Sequence, residues 1–212
     1  MSSPTNSLHR RIFDISYRYK LSHLSSAITC VDIIDEIYST KRPEDVFVLS
    51  CGHAGLAHYV CLEKHEGKDA EALYLKYRTH PTRNPKDGLH VSSGSLGCGI
   101  TIALGMAMAD KDRDVHCLIS DGESFEGSVS ETLRIKTKYQ INNLRVYANF
   151  NGYSCIEKIQ ELQNLADSLF VLDKTVKIVD TGHLYQKYPF LNGVAAHYYN
   201  LSLQDLETIS RA

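Results

Sequence analysis

The sequence predicts an α/β fold: a mostly parallel sheet with helices packed on both faces. Two observations predict it. Short apolar runs recur along the chain and end in turns rich in Gly, Asn, Asp or Ser, as buried strands do. Between these runs the apolar residues return to helical spacing, and strands that alternate with helices pair in parallel, because a helix closes that crossover most easily.

Taken in order, residues 8–20 predict a first helix and residues 31–39 a second, with Val31, Ile34, Ile37 and Tyr38 on one face. Residues 21–27 (Leu-Ser-His-Leu-Ser-Ser-Ala) read as a small polar connection between them. Residues 46–50 are a strand stopped by Cys51-Gly52, and helical spacing resumes after His53. Residues 96–110 are apolar on nearly every side, which predicts a helix buried within the layers. A strand at 115–119, a helix at 128–140, a strand at 144–148, a helix at 157–168 and a strand at 176–179 complete the alternation. Residues 1–212 are expected to form a single domain.

Composition narrows the function. The 212 residues are 43% hydrophobic and 23% charged, close to the globular average, and the net charge is −2. Neither sign gathers into a block, so nucleic acid and membrane surfaces are not expected partners. No apolar run reaches the ~18 residues of a membrane span. The opening Met1-Ser-Ser-Pro-Thr-Asn lacks the apolar centre of a signal peptide. The six cysteines (30, 51, 61, 98, 117 and 155) show no Cys-x-x-Cys pair, which predicts reduced thiols and a cytoplasmic location.

Ligands in open α/β sheets bind beyond the carboxyl ends of the strands. Three such ends carry unusual residues: Ser50-Cys-Gly-His53, Ser120-Asp-Gly-Glu-Ser-Phe-Glu126 and Asn149-Phe-Asn-Gly-Tyr153. Asp121 and Asn151 stand 30 positions apart, each just past a strand. If those strands are neighbours, both side chains meet in one crevice. Carboxylate, amide and carbonyl oxygens are hard ligands that suit Mg²⁺ or Ca²⁺, and Mg²⁺ completes its shell with water and phosphate oxygens. Gly122 would let the backbone approach such a phosphate, and a helix starting near Ser128 could aim its amides at it. Asp-Gly and Asn-Gly are also ordinary turn dipeptides, so it is the pairing at two strand ends that argues for a site.

These residues resemble the thiamine diphosphate motif of the transketolase family, written Gly-Asp-Gly with an asparagine downstream. Other landmarks follow in family order. Ser22-His-Leu-Ser-Ser-Ala resembles Gly-His-x-Gly, Val48-Leu-Ser-Cys-Gly-His resembles Leu-Ser-x-Gly-His, and Thr79-His-Pro81 resembles Gly-His-Pro. Gly94-Ser-Leu-Gly-Cys-Gly99 is similar to Gly-Pro-Leu-Gly-Gln-Gly. The resemblance runs from about residue 8 to residue 155 and continues more faintly to about 205.

The resemblance implies that Asp121, Asn151 and the Tyr153 carbonyl hold Mg²⁺ or Ca²⁺, and that Gly122 contacts the diphosphate. It places Gly94 and Leu96 under the cofactor rings, with His53, Glu126 and Asn151 also among the cofactor contacts. His23, His53, His80 and His197 would line the reacting carbon and the sugar hydroxyls, where imidazoles, titrating at ~6.5, can give or take protons near neutrality. Glu126 and Glu131 match acids at the family's subunit interface. His9, His58, His65, His116 and His183 have no such context and are expected to be structural or exposed.

Three departures stand out: Ser120 for the first motif glycine, Ser95 for a proline, and Asn149 for an aspartate, which removes a negative charge beside the metal. After Tyr153 only 59 residues remain, and the family's closing strand-helix-strand looks compressed into residues 169–179, trimming the sheet edge. Nothing resembles the pyrimidine-binding domain. The expectation is therefore a diphosphate-binding subunit of a split transketolase that moves a two-carbon ketol unit between sugars or sugar phosphates. It would work with a second, transketolase-like subunit in a two-plus-two hetero-oligomer. The rivals are a non-catalytic paralogue acting as a scaffold or regulator, and the alpha chain of a 2-oxo acid dehydrogenase. A nucleotide-binding reading of residues 94–99 fails on the order of its glycines.

Overall fold

The computed structural model describes residues 4–211; of the opening stretch read for a leader, residues 1–3 lie outside it. Four parallel strands, β1 (Val46–Leu49), β2 (Val115–Ser120), β3 (Leu144–Phe150) and β4 (Lys177–Asp180), lie side by side in sequence order. β1 and β2 are buried at every position, as their unbroken apolar runs require.

Alternation along the strands sorts the core into two layers. Phe47, Leu49 and Leu118 face α1 (Pro4–Tyr19), α2 (Leu24–Thr40), α3 (Gly55–Glu66) and α4 (Ala70–Tyr77). Val46, Val48, Cys117, Ile119, Val146 and Ala148 face α5 (Cys98–Ala109), α6 (Gly127–Lys138) and α7 (Leu162–Leu172). The chain after β4, with the short α8 (Leu184–Lys187) and α9 (Leu203–Arg211), returns to the first layer. There Tyr188 is 1% exposed and packs edge-on to Phe13 at 5.1 Å.

Several expected boundaries move. α2 starts at Leu24, not Val31, so most of the expected connection is helix. Leu24, Ala27, Ile28 and Val31 are all buried, and the apolar stripe simply runs back past the serines. The helix expected at 157–168 begins at Leu162 and ends at Leu172. Ser154 explains the delay: its hydroxyl accepts from the Ile156 and Glu157 amides, and Tyr153 bridges to Lys158, so these residues form a reversal. The expected burial of residues 96–110 holds for one face only: Ile100, Ala103, Leu104 and Ala107 are buried, whereas Ile102 and Met108 are 41% and 48% exposed.

Lys136 fixes the trimmed edge. Its ammonium lies 2.5 Å from Asp173, with both side chains about 95% shielded, and it also donates to Thr175 in the turn between α7 and β4. Burial alone would raise the Asp173 carboxyl, but the bonds from Lys136 and Thr175 outweigh it and hold it below its ordinary value. Lys136→Met is expected to cost about 3–5 kcal/mol, because it strands a buried carboxylate. Urea unfolding would show this as a lower midpoint with an unchanged slope. A loss under about 1 kcal/mol would mean that Asp173 reaches water.

Candidate functional site

A cavity of about 270 Å³ opens at the carboxyl ends of β1, β2 and β3. The registers place these ends side by side, Leu49 against Leu118 and Ser120 against Asn149. The cavity is lined by Gly122, Asn151 and Tyr153 on one side and by His23, His53, His80 and His197 on the other, with Gly94 and Leu96 between them. Every expected site residue except Asp121 and Glu126 therefore lines one crevice. Asp121 lies just beneath it, fully buried.

Asp121 follows directly on β2, and each of its carboxylate oxygens accepts one backbone amide, from Gly122 at 2.8 Å and from Gly152 at 2.6 Å. No cationic side chain among the described residues pairs with it. Burial therefore dominates the two amide bonds and pushes the carboxyl up to about 6. A buried carboxylate that lacks a counter-charge fits a divalent cation. So does the donor set, which adds the Asn151 amide, 8% exposed, whose oxygen accepts from the Tyr153 N–H at 2.9 Å. Space is tight at Gly122, where a Cβ would stand 3.3 Å from Ser154. These residues fit a metal-bridged diphosphate.

The histidines converge from four segments. His23 caps α2 with φ 61°, a left-handed conformation that few side chains tolerate, and its N–H donates to the His197 carbonyl at 2.8 Å. That bond draws the chain after β4 over the crevice. The His23 ring centre lies 4.2 Å from His197, 6.2 Å from His53 and 6.1 Å from His80. Burial, aided by the neighbouring rings, pushes His53 down to about 3 and His23 down to about 4, and burial lowers His197 as well. His23, His53 and His197 are thus neutral near pH 7, each with one nitrogen able to accept and one able to donate. His80 rests against Gly94, where a Cβ would meet its ring at 3.2 Å.

Glu126 and Glu131 do not enter the crevice. Glu126 is exposed at the start of α6, and Glu131 pairs with Arg134 at 2.6 Å in solvent. Four of the histidines set aside have polar partners elsewhere, His9 with Tyr188, His58 with Tyr38, His65 with Asp35 and His116 with Tyr147, while His183 is exposed. Asn149 does not turn toward the metal position: it donates to Thr29 and Cys30 and accepts from Thr181, so it ties β3 to α2. Ser120 accepts from the Glu123 N–H and so caps the turn after β2.

Sequence reasoning missed Glu123. Its side chain is fully buried; one oxygen accepts from Ser50 at 2.5 Å and from the Gly97 N–H at 2.6 Å, and the other has no partner. It joins the end of β1 to the 94–99 turn under the crevice, and the one available signal was its place in the Ser120-Asp-Gly-Glu motif. Ser26 and Cys155 also line the cavity and were not singled out.

The family model described as "Transketolase, thiamine diphosphate binding domain" matches residues 35–163. One of the named subunits of apulose-4-phosphate transketolase from Phocaeicola vulgatus is 30% identical over 183 residues, covering 74% of this chain and 64% of that protein. The corresponding subunit from Actinobacillus succinogenes is 28% identical over 156 residues, covering 61% of this chain and 54% of its own length. The chain thus spans less than two thirds of the length of either relative. Among solved structures, transketolase from Campylobacter jejuni superimposes with a TM-score of 0.65 at 19% identity, over 85% of this chain and 38% of that one, a likeness of fold. These matches favour the transketolase reading over the 2-oxo acid dehydrogenase one. With a family model matched over more than half of its residues and the family's ordered motifs gathered at one crevice, the chain belongs to the transketolase family, in its thiamine diphosphate-binding domain.

Proposed function

We propose that this chain is the diphosphate-binding subunit of a split transketolase-like enzyme, a thiamine diphosphate-dependent transferase that moves a two-carbon ketol unit between sugars or sugar phosphates. Residues 1–212 then make up one domain on the diphosphate side. A second subunit supplies the pyrimidine-binding domain in a two-plus-two assembly, without which the chain is inactive. Two relatives are themselves named as single subunits of a transketolase, which supports a partner. The scattered cysteines favour the reducing cytoplasm.

One observation carries the reading: a buried carboxylate, unpaired with any cation among the described residues, lies just beneath a crevice lined by four clustered imidazoles. Asp121, Asn151 and the Tyr153 carbonyl hold Mg²⁺ or Ca²⁺. Gly122 meets the diphosphate, and Gly94, Leu96 and His53 support the rings. Bound thiamine diphosphate supplies the electron sink for carbon–carbon cleavage. His23, His53, His80 and His197 orient the sugar hydroxyls and move their protons, since an imidazole can give or take a proton at a ring nitrogen. Glu126 acts with Glu131 at the subunit contact and reaches the cofactor only through the assembly.

Replacement of the imidazoles tests this. In the assembled enzyme His53→Ala and His80→Ala are expected to lower turnover by about 10²-fold or more, as for lost acid–base groups, with little loss of stability. His53 adds a pH signature. Its value near 3, below the unfolded 6.5, means that its contribution to stability is present above pH 6.5 and is lost as the pH falls through the folded value. His53→Ala should therefore flatten the acid side of the melting curve. Activity that falls only in proportion to melting temperature would make the histidines structural.

A further inference from the structure

We propose that Asp45, Asp114 and His116 form a second cation site, for a divalent transition ion of the zinc class, that clamps the amino-terminal ends of β1 and β2. It lies at the opposite end of the sheet from the crevice, and it does not rest on the function proposed above.

The register builds it. Val46 pairs with Val115 and Phe47 with His116, so Asp45 and Asp114 stand side by side just before their strands, and His116 follows Asp114 by two residues on the same face. The Asp114 N–H donates to an Asp45 carboxylate oxygen at 2.8 Å, and the Val46 N–H donates to the Asp114 carbonyl at 3.0 Å. One ligand atom from each of the three side chains lies within 4.8 Å of the others. Ligands about 2.1 Å from a tetrahedral ion stand about 3.4 Å apart, so a modest side-chain rotation closes the set.

His116 gives the independent indication of a ligand. It is 7% exposed, and its Nε2 has no hydrogen-bond partner although it lies 3.8 Å from an Asp45 oxygen. Its Nδ1 is engaged by the Tyr147 hydroxyl at 3.2 Å. One nitrogen held by a neighbour and the other bare toward carboxylates is how a ligating imidazole is oriented.

The carboxylates now face arginines: Asp45 faces Arg42 at 2.8 Å and Asp114 faces Arg145 at 3.1 Å. Arg145 is 54% exposed, and an exposed ion pair of this kind is readily given up to water. Its release frees the Asp114 oxygen; the Arg42 guanidinium, 51% exposed, bonds both Asp45 oxygens and is given up in the same way, while the Arg42 N–H stays on one of them. A donor set of one imidazole and two carboxylates favours zinc-class ions over Mg²⁺ or Ca²⁺, which prefer oxygen alone.

Zinc titration of the full-length chain against a chromophoric chelator, near neutral pH with excess Mg²⁺, tests the site. The expected result is one tightly held zinc that His116→Gln or Asp114→Asn weakens tenfold or more, and that His53→Ala, which removes an imidazole from the crevice, leaves in place. Asp114 is partly exposed, so Asp114→Asn decides the matter if His116→Gln does not fold. No zinc uptake by the wild type, or uptake unchanged in the folded variants, overturns the proposal.

Discussion

With Asp121 replaced by alanine, metal-dependent binding of thiamine diphosphate by the assembled enzyme is expected to disappear, while the chain keeps its fold. Asp121 is the one charged ligand in the proposed shell, and its displacement from 3.8 to about 6 represents about 3 kcal/mol of resistance to ionisation. In the metal-free chain that cost is absent at low pH, grows as the pH rises from 3.8 to 6 and is fully present above. A divalent cation offsets it, and alanine removes it. Metal-free Asp121→Ala should therefore melt no lower than the wild type above pH 6, apart from the loss of the Gly122 and Gly152 amide bonds. Asn151→Ala, which removes a neutral ligand, should weaken binding severely without ending it. Calorimetric titration with and without Mg²⁺, in the presence of the partner, is the measurement. Unchanged affinity in Asp121→Ala would remove this residue from the metal shell.

The sheet was legible because β1 and β2 are buried on both faces, and such strands leave unbroken apolar runs in the sequence. The crevice was legible for the same reason, since its polar residues stand immediately after those runs. Helix starts were less so. Ser25 and Ser26 look like a linker, yet Ser26 is buried and Ser25 meets the Tyr185 hydroxyl from the chain after β4, contacts that local spacing does not report. α4 was not anticipated, although Asp69 caps it by accepting from the Ala72 N–H. The layer formed after β4 has short helices and little periodicity, and it reveals itself only through contacts such as Tyr188 on Phe13. Resemblance alone singled out His197; nothing in its local pattern predicts a ring 4.2 Å from His23. Glu123 was hidden because its partners, Ser50 and Gly97, are 73 and 26 residues away.

Purified alone, the chain is expected to show no ketol transfer, to bind cofactor weakly and to self-associate; co-expression with a partner carrying the pyrimidine-binding domain should restore activity and end the self-association. The reason lies on the outer face of α5 and the turn before α6. Ile102, Met108 and Phe125 are 41%, 48% and 63% exposed, beside the exposed Glu126. Ile102 and Met108 lie on the solvent side of α5, and exposed apolar surface on a helix marks a contact. The sequence reading of residues 96–110 as a buried helix described this same surface, which no other part of the chain covers among the described residues. A cofactor held only from the diphosphate side would leave its remaining surface in water, which accounts for the weak binding. Met108→Glu places a charge in the patch while leaving the inner face of α5, formed by Ile100, Ala103, Leu104 and Ala107, untouched. It should block reconstitution and suppress self-association, with melting temperature nearly unchanged. Size-exclusion chromatography and a coupled ketol-transfer assay read both effects. Turnover by the isolated chain on the order of 1 s⁻¹ or faster, an ordinary enzymatic rate, would show that it completes its own active site and would end the split-subunit reading.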